Sequence, residues 1–488
     1  MKKIIISLLH SVTAFPGRRH FPVWLLVALL PVSALADALP SSISQTLKRY
    51  GIPVSDVSIE IRDIDSNQSI LSVNSNVYRN PASVIKLVTT LAALELLGPQ
   101  YQWKTRYYVD GKIRDDMLVG NLILRGGGDP FLTVDRLWSH VMTLRGLGIR
   151  SITGNLIIDN TLYDIPKHDR SAFDGAPSRL YNVGPDAALV NFSASRLVIQ
   201  PLAGHISIRN EPPLEGMKLI NQLKPKSGKC HSKTRGWSYR VDKDSDNIEV
   251  RFEGSYSTNC GIYSISRSLL PNNEYTYRLF KRLWIQSGGT LDGSYRVASL
   301  PENSQLLSSH SSVPLSDLIT SINKYSNNTM TRMLFLNLDA ENEDDQATLS
   351  GSRNRLVNWL LSNNIEIPDL YVDNGSGLSR TTRITSNGMA ELLDLAWQSL
   401  YRPEFLSSLP IVALDGTMKK RLVNSPLAGR ARIKTGSVKG VRSMAGYIVA
   451  SDGKTYSVTV LIQSSNVSFH NGNRVQDAVL KWITSERN

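Results

Sequence analysis

The chain has 488 residues, of which 55 are basic and 42 acidic, giving a formal net charge of +13; 41% are hydrophobic and 20% charged. That composition belongs to a folded globular protein and excludes a disordered or fibrous one, and the length allows two to four domains at roughly 100–200 residues each. The basic balance favours anionic partners but does not point to nucleic acid, because no zinc-finger spacing, basic-aromatic segment or strongly basic helix face accompanies it.

The first 36 residues read as a signal peptide. Lys2, Lys3, Arg18 and Arg19 precede an apolar stretch from Phe21 to Val32, and Ala34-Leu35-Ala36 has the small-x-small pattern of a cleavage site. Pro22 and Pro31 interrupt the stretch, which argues against a membrane anchor. Cleavage after Ala36 leaves 51 basic against 42 acidic residues, a net of +9. The expectation is export to the periplasm, with peripheral association with membrane or anionic envelope polymers as an option. No later run reaches the ~18 apolar residues of a membrane helix. Cys230 and Cys260 are the two cysteines; in an exported protein such a pair predicts a disulfide rather than a metal site. None of the eight histidines stands four positions from another, so no metal site is expected, and no cofactor.

Ser41 to Tyr50 predicts a short helix ended by Gly51. Val57, Ile59 and Ile61 alternate with polar residues and predict a half-buried strand, with a turn at Asp65-Ser66-Asn67 and a return strand over Ser69 to Val73. Asn80 to Gly98 predicts a helix, with Pro81 in its first turn and Gly98-Pro99 as its stop. Its apolar residues surround the axis, so it is buried on most sides. From about Tyr101 to Leu270, short strands alternate with Gly, Pro, Asn and Asp clusters such as Gly126-Gly127-Gly128-Asp129-Pro130. No Gly-Lys-Ser/Thr follows those glycines, so they read as a turn and not as a phosphate loop. Helical periodicity returns at Tyr275 to Ile285, at Leu315 to Ile322 and at Met330 to Leu338. Strands follow at Ala431 to Thr435, Ser443 to Ala450 and Tyr456 to Ile462. A closing helix carries Val475, Ala478, Val479, Trp482 and Ile483. The simplest organisation is one α/β (α+β) domain, residues 37–100 and 271–488, holding a β-rich insertion at 101–270 that is expected to form two modules.

Three stretches could carry chemistry. Ser83 and Lys86 head the buried helix three positions apart and share a face. A serine hydroxyl needs a base within hydrogen-bond reach. Burial lowers a lysine pKa from its reference of about 10.4, so a desolvated Lys86 could take that proton. The spacing alone carries little, because Ser321–Lys324 and Ser451–Lys454 repeat it. The second stretch is Tyr325-Ser326-Asn327-Asn328, between two helical segments. Either Ser326 with Asn328 or Tyr325 with Asn327 would supply a hydroxyl relay beside an amide. The third is Lys434-Thr435-Gly436-Ser437 at a strand end, where a strand edge can pair with an extended peptide, Gly436 permits close approach and the lysine can hold a carboxylate.

In that order, Ser-x-x-Lys, Ser-x-Asn and Lys-Thr-Gly resemble the penicillin-binding-protein and serine β-lactamase superfamily. Ser83 and Ser326 lie 243 positions apart, longer than a compact β-lactamase needs. With "NGSGLSR" (Asn374 to Arg380), "LDGT" (Leu414 to Thr417) and "KTGSVKGVRSMAGY", the chain looks like the class C low-molecular-mass penicillin-binding proteins, the D-alanyl-D-alanine carboxypeptidase/endopeptidase family. The resemblance implies an antiparallel sheet flanked by helices and favours Ser326/Asn328 over Tyr325/Asn327. It implies Ser83 as nucleophile, Lys86 as base and Ser326 as proton shuttle. Asn328 would hold the substrate, Lys434 and Thr435 its carboxylate, and the backbone N–H groups of Ser83 and Ser437 the oxyanion beside Gly436. Asp174, Tyr181 and Arg380 are its candidates for binding the peptide stem. Lys439 stands where an uncharged polar residue is expected. The implied partners are peptidoglycan stem peptides, with β-lactams as covalent inhibitors. A β-lactamase, or a non-catalytic peptidoglycan-binding or penicillin-sensing protein of this fold, are the alternatives.

Overall fold

The computed structural model describes residues 39–244, 247–340 and 346–485; the leader expected over residues 1–36 lies outside them. The described residues open with α1 (Ser41–Arg49), β1 (Val57–Asp63), β2 (Gln68–Val73), a 3₁₀ turn (Ala82–Ile85) and α2 (Lys86–Leu97). A long middle follows: β3 (Lys104–Arg114), β4 (Met117–Arg125), α3 (Val134–Gly146), β5 (Ser151–Ile152), β6 (Leu156–Asp159), β7 (Ser195–Leu202), β8 (His205–Glu211), β9 (Met217–Lys226), β10 (Trp237–Lys243), β11 (Ile248–Ser257), β12 (Tyr263–Arg267), α4 (Asn272–Gln286), β13 (Thr290–Leu291), β14 (Tyr295–Val297) and β15 (Gln305–Ser311). The last part holds α5 (Leu315–Tyr325), α6 (Asn328–Leu336), α7 (Leu349–Ser362), α8 (Ser386–Gln398), α9 (Arg402–Ser408), β16 (Ala431–Val438), β17 (Val441–Val449), β18 (Thr455–Gln463) and α10 (Phe469–Ser485).

Both ends of the chain build one five-stranded antiparallel sheet, in the order β16-β17-β18-β1-β2. β17 and β18 are buried almost throughout, so both sheet faces must be covered. On one face Ile43 and Leu47 of α1 meet Val475, Val479 and Ile483 of α10. On the other, α2, α5, α6 and α8 pack Leu91, Leu94, Ile319, Leu334 and Leu393 against Ala445 and Leu461. Each such side chain contributes about 1.5–3 kcal/mol of burial. The sheet is thus the middle of three layers, and α2 lies against one of its faces.

The middle of the chain forms a seven-stranded sheet built on β13-β5-β4-β3-β15, with β6 and β14 alongside, and two three-stranded sheets, β10-β11-β9 and β12-β7-β8. One buried cluster runs through it, from Tyr107 and Leu122 through Val250 and Phe252 to Leu279 and Trp284. The core therefore takes α4 and β13–β15 with the strands of the middle region. β15 pairs with β3, Ser311 opposite Lys104, so the inserted region leaves on the strand beside the one by which it enters. α3 lies within this stretch, with Leu137, Val141 and Leu144 buried, although the turn-rich texture suggested strands alone. Cys230 and Cys260 form the disulfide, with Cα atoms 4.9 Å apart. Among the described residues no helix is long and apolar enough to cross a membrane.

Candidate active site

The helix expected from Asn80 begins differently. Ala82–Ile85 is a 3₁₀ turn, and the α-helix starts only at Lys86. In a 3₁₀ turn residues i and i+3 eclipse one another, which stacks Lys86 beside Ser83. Lys86 Nζ lies 3.1 Å from Ser83 Oγ. Ala82, just before the serine, is held at φ +44°, a region that costs an L-residue about 1–2 kcal/mol. Its N–H donates to Asn80 Oδ1 at 2.8 Å, and Asn80 Nδ2 donates to the Ser379 carbonyl at 2.9 Å. Local side-chain bonds thus hold the turn that presents Ser83.

Lys86 is fully buried. Its amine also donates to Asn328 Oδ1 at 2.7 Å and to the Ser376 carbonyl. Burial, first, and then the nearby Lys434 and Arg332 cations hold its pKa well below the ordinary lysine value. The Gly375-Ser376-Gly377 turn therefore does more than reverse the chain: it lays a carbonyl on the lysine. Gly377 sits at φ +76°, and a Cβ there would meet the Ala82 carbonyl at 1.9 Å.

Ser326 follows α5 in the left-handed conformation, at φ +58°, and that turn carries its hydroxyl to Lys434 Nζ at 3.0 Å. Asn327 caps α6, accepting from the Met330 N–H at 3.1 Å. Asn328 is the amide that reaches Lys86. Tyr325 is 73% exposed. Geometry therefore separates the two readings of Tyr325-Ser326-Asn327-Asn328 and brings Ser326 and Asn328 to the site.

Lys434, Thr435, Gly436 and Ser437 lie inside edge strand β16, which runs on to Val438 instead of ending at Thr435. The pairing with β17 continues past the motif, Ser437 opposite Arg442. Lys434 is fully buried, and desolvation pushes its pKa down to about 7. Its amine also donates to the Thr435 carbonyl at 2.8 Å. Thr435 Oγ1 donates to Thr417 Oγ1 at 2.9 Å, which gives the "LDGT" loop a place at the site. Asp415 of that loop pairs with Lys324. At Gly436 a Cβ would stand 2.9 Å from Ser83 N, so only glycine lets β16 lie against the serine turn.

Asp174, Tyr181 and Arg380 stand nearer the rim. Tyr181 donates to Asp174 Oδ2 at 2.7 Å, and Asn182 Nδ2 donates to Asp174 Oδ1 at 2.8 Å. The tyrosine bond is the first cause of the lowered Asp174 pKa. The Tyr181 carbonyl accepts from Asn328 Nδ2 at 3.4 Å. The Arg380 guanidinium lies over the Phe173 ring, 4.5 Å from its centroid. It lines a cavity of about 420 Å³ together with Phe173, Asn182, Arg332, Asp373 and Leu378. A larger cavity, about 920 Å³, lies between residues 160–186 and 268–273 and reaches none of the three motifs. The other two Ser-x-x-Lys pairs make no such site: Lys324 turns to Asp415 and Lys454 to Asp63. Among the described residues no group of three or more His, Cys, Asp or Glu is placed to hold a metal ion. Thr417, the Ser376 carbonyl and Arg332 were not singled out from sequence. The first two lie in the quoted "LDGT" and "NGSGLSR" stretches, where only Arg380 was given a role, and Arg332 has no local signature.

A serine hydroxyl beside a buried lysine, an adjacent Ser-x-Asn turn and a Lys-Thr-Gly edge strand on a helix-flanked antiparallel sheet together define a serine acyl-transfer enzyme of the penicillin-binding fold. The chain is 27% identical over 406 residues to D-alanyl-D-alanine carboxypeptidase DacB of Haemophilus influenzae, covering 82% of this chain and 84% of that protein. It resembles the crystal structure of penicillin-binding protein 4 from the same organism with a TM-score of 0.73 at 23% identity, over 90% of this chain and 99% of that one. That protein has also been solved with a β-lactam. A predatory peptidoglycan endopeptidase of Bdellovibrio bacteriovorus shares the fold with a TM-score of 0.50 at 16% identity, over 87% of this chain and 92% of that one. The family model for D-Ala-D-Ala carboxypeptidase 3 (S13) matches residues 39–486, and the chain belongs to that family. It is a serine-type D-Ala-D-Ala carboxypeptidase of the class C penicillin-binding proteins.

Proposed function

We propose that the enzyme acts on peptidoglycan stem peptides through an acyl-enzyme on Ser83. The observation that carries this reading is the fully buried Lys86 amine 3.1 Å from the Ser83 hydroxyl. A lysine that sheds its proton readily can accept one from the serine as Oγ attacks the carbonyl between two D-alanines. The backbone N–H groups of Ser83 and Ser437 receive the oxyanion. Ser326, bonded to Lys434, gives its hydroxyl proton to the leaving amine as the C–N bond breaks and takes in its place the proton that Lys86 removed from Ser83. Water then attacks the ester and frees Ser83. Lys434 and Thr435 hold the terminal carboxylate, Asn328 holds the peptide backbone, and Asp174, Tyr181 and Arg380 meet the stem. β-Lactams acylate the same serine.

We also propose that the chain is exported to the periplasm, a reading supported by its basic, apolar, small-x-small first 36 residues. Peripheral association with anionic envelope polymers is supported by residues 216–241. That stretch has no acidic residue and carries Lys218, Lys224, Lys226, Lys229, Lys233, Arg235 and Arg240. Cross-link cleavage is a second activity for the same site, in keeping with the activity named for the Bdellovibrio enzyme.

Intact-mass analysis after exposure to a penicillin, followed by peptide mapping, tests the reading. One penicilloyl group on Ser83 is the expected result, and no adduct there would overturn it. Rapid penicillin turnover would favour a β-lactamase. Products from a pentapeptide and from a cross-linked dimer separate carboxypeptidase from endopeptidase activity.

A further inference from the structure

We propose that Arg332 is a positioning residue for acylation, acting on Lys86 through Asn328 and through its own charge. The inference rests on the reading of Lys86 as the base for Ser83. Arg332 stands four positions after Asn328 on α6, so both side chains leave the same helix face. It is only 5% exposed. Its Nη1 donates to the Tyr181 carbonyl at 3.1 Å and to the Val183 carbonyl at 2.8 Å. Asn328 Nδ2 reaches the same Tyr181 carbonyl, at 3.4 Å, and Asn328 Oδ1 accepts from Lys86 at 2.7 Å.

These bonds form one chain of cause. The guanidinium fastens residues 181–183 of the inserted region against α6. The carbonyl held there offers an acceptor to the amide nitrogen of Asn328. An amide has distinct donor and acceptor ends, so that acceptor turns the oxygen toward Lys86. The lysine amine is thereby held near Ser83.

The charge adds a second route. Among the described residues no carboxylate lies within ion-pair distance of Arg332, and its buried Nε has no hydrogen-bond partner. Burial lowers the Arg332 pKa to about 10, with Asp373 pulling the other way, so it is a cation at neutral pH. The charged groups facing Lys86 are Arg332 from α6 and Lys434 from β16. A cation that no partner neutralises disfavours a second positive charge on Lys86. The unprotonated amine is the reactive form, so acylation rises with pH through the Lys86 pKa. Removing the Arg332 charge raises that pKa and moves the acid limb to higher pH.

The test is the rate of acylation by a fluorescent penicillin from pH 5 to 10, with the adduct first mapped on the wild-type chain. Arg332→Gln keeps a donor for the carbonyls and removes the charge; Arg332→Met removes both; Arg332→Lys keeps the charge. In the Gln and Met variants the acid limb should move up by about half a unit or more, roughly a threefold loss of rate at a fixed pH on the limb. Arg332→Lys should leave the limb in place. A uniform loss at every pH with an unmoved limb, or failure of both neutral variants to fold, would mark a purely structural role and overturn the proposal. A wild-type adduct absent from Ser83 would instead overturn the assignment of the nucleophile.

Discussion

Gly436→Ala tests how closely β16 must approach the serine turn. A Cβ at 436 would stand 2.2 Å from Ser443 Oγ, 2.7 Å from the Pro81 carbonyl and 2.9 Å from Ser83 N. Ser443 cannot turn aside freely, since it is fully buried and donates to that same Pro81 carbonyl. Ordinary contact begins at 3.4 Å, so the strand must withdraw from the two backbone atoms by about 0.5–0.7 Å. The withdrawal widens the gap between the Ser83 and Ser437 N–H groups, the proposed oxyanion donors, and such donors work only at about 2.7–3.1 Å from an oxyanion. We expect acylation by a fluorescent penicillin, followed by rapid quench, to slow by about 10²-fold. Overpacking should cost about 1–3 kcal/mol, a fall of a few degrees in Tm. Acylation within about threefold of wild type would refute the reasoning, because the hole would then not depend on this approach.

Ser326→Ala should lose about 10²-fold or more in acylation, while Tyr325→Phe, altering a side chain turned to solvent, should stay within about twofold. The reverse pattern would reassign the relay. Lys434 is pushed down to about 7 by burial, and it holds a carboxylate best when protonated. For a peptide with a free C-terminal carboxylate, kcat/KM should therefore fall as pH rises above about 7. A C-terminally amidated analogue should show no such limb, and a shared limb would exclude Lys434 as its source. The Cys230–Cys260 bridge closes a separation of 30 residues, so its loss should cost about 3–4 kcal/mol in a chain-entropy account. A Cys230→Ser/Cys260→Ser chain should melt earlier yet acylate at the wild-type rate. Reduced acylation without reduced stability would contradict the separation of that loop from the site.

Stability in this fold is concentrated where the sequence is least polar. β17, β18 and α2 are buried on nearly every side; Thr89 of α2 donates to the Gly375 carbonyl at 2.9 Å, whereas the buried Thr459 hydroxyl of β18 has no hydrogen-bond partner among the described residues. The same packing that stabilises α2 desolvates Lys86. Stability and chemistry thus share one cause at the head of this helix.

Periodicity alone located α1, β1, α4, α5, β17, β18 and α10, because each buries one face or both and spaces its apolar residues accordingly. The three motifs were legible because their residue types are chemically restrictive and stand in order. α7, α8 and α9 were not marked, although α8 buries Met389, Leu392, Leu393 and Ala396, and α3 was hidden among turn residues. The pairing of β15 with β3 was not legible either, because it is a contact between segments about 200 positions apart. Tertiary structure alone decided which hydroxyl and which amide of Tyr325-Ser326-Asn327-Asn328 face the lysines. The left-handed turn at Ser326 and the capping role of Asn327 depend on how α5 meets α6. It also decided that a carbonyl of the Gly-Ser-Gly turn and the buried Arg332 bear on Lys86. A sequence can state that a lysine heads an apolar helix; how far that lysine is desolvated, and by which charges, depends on groups brought to it from 242 (Asn328) to 348 (Lys434) positions away.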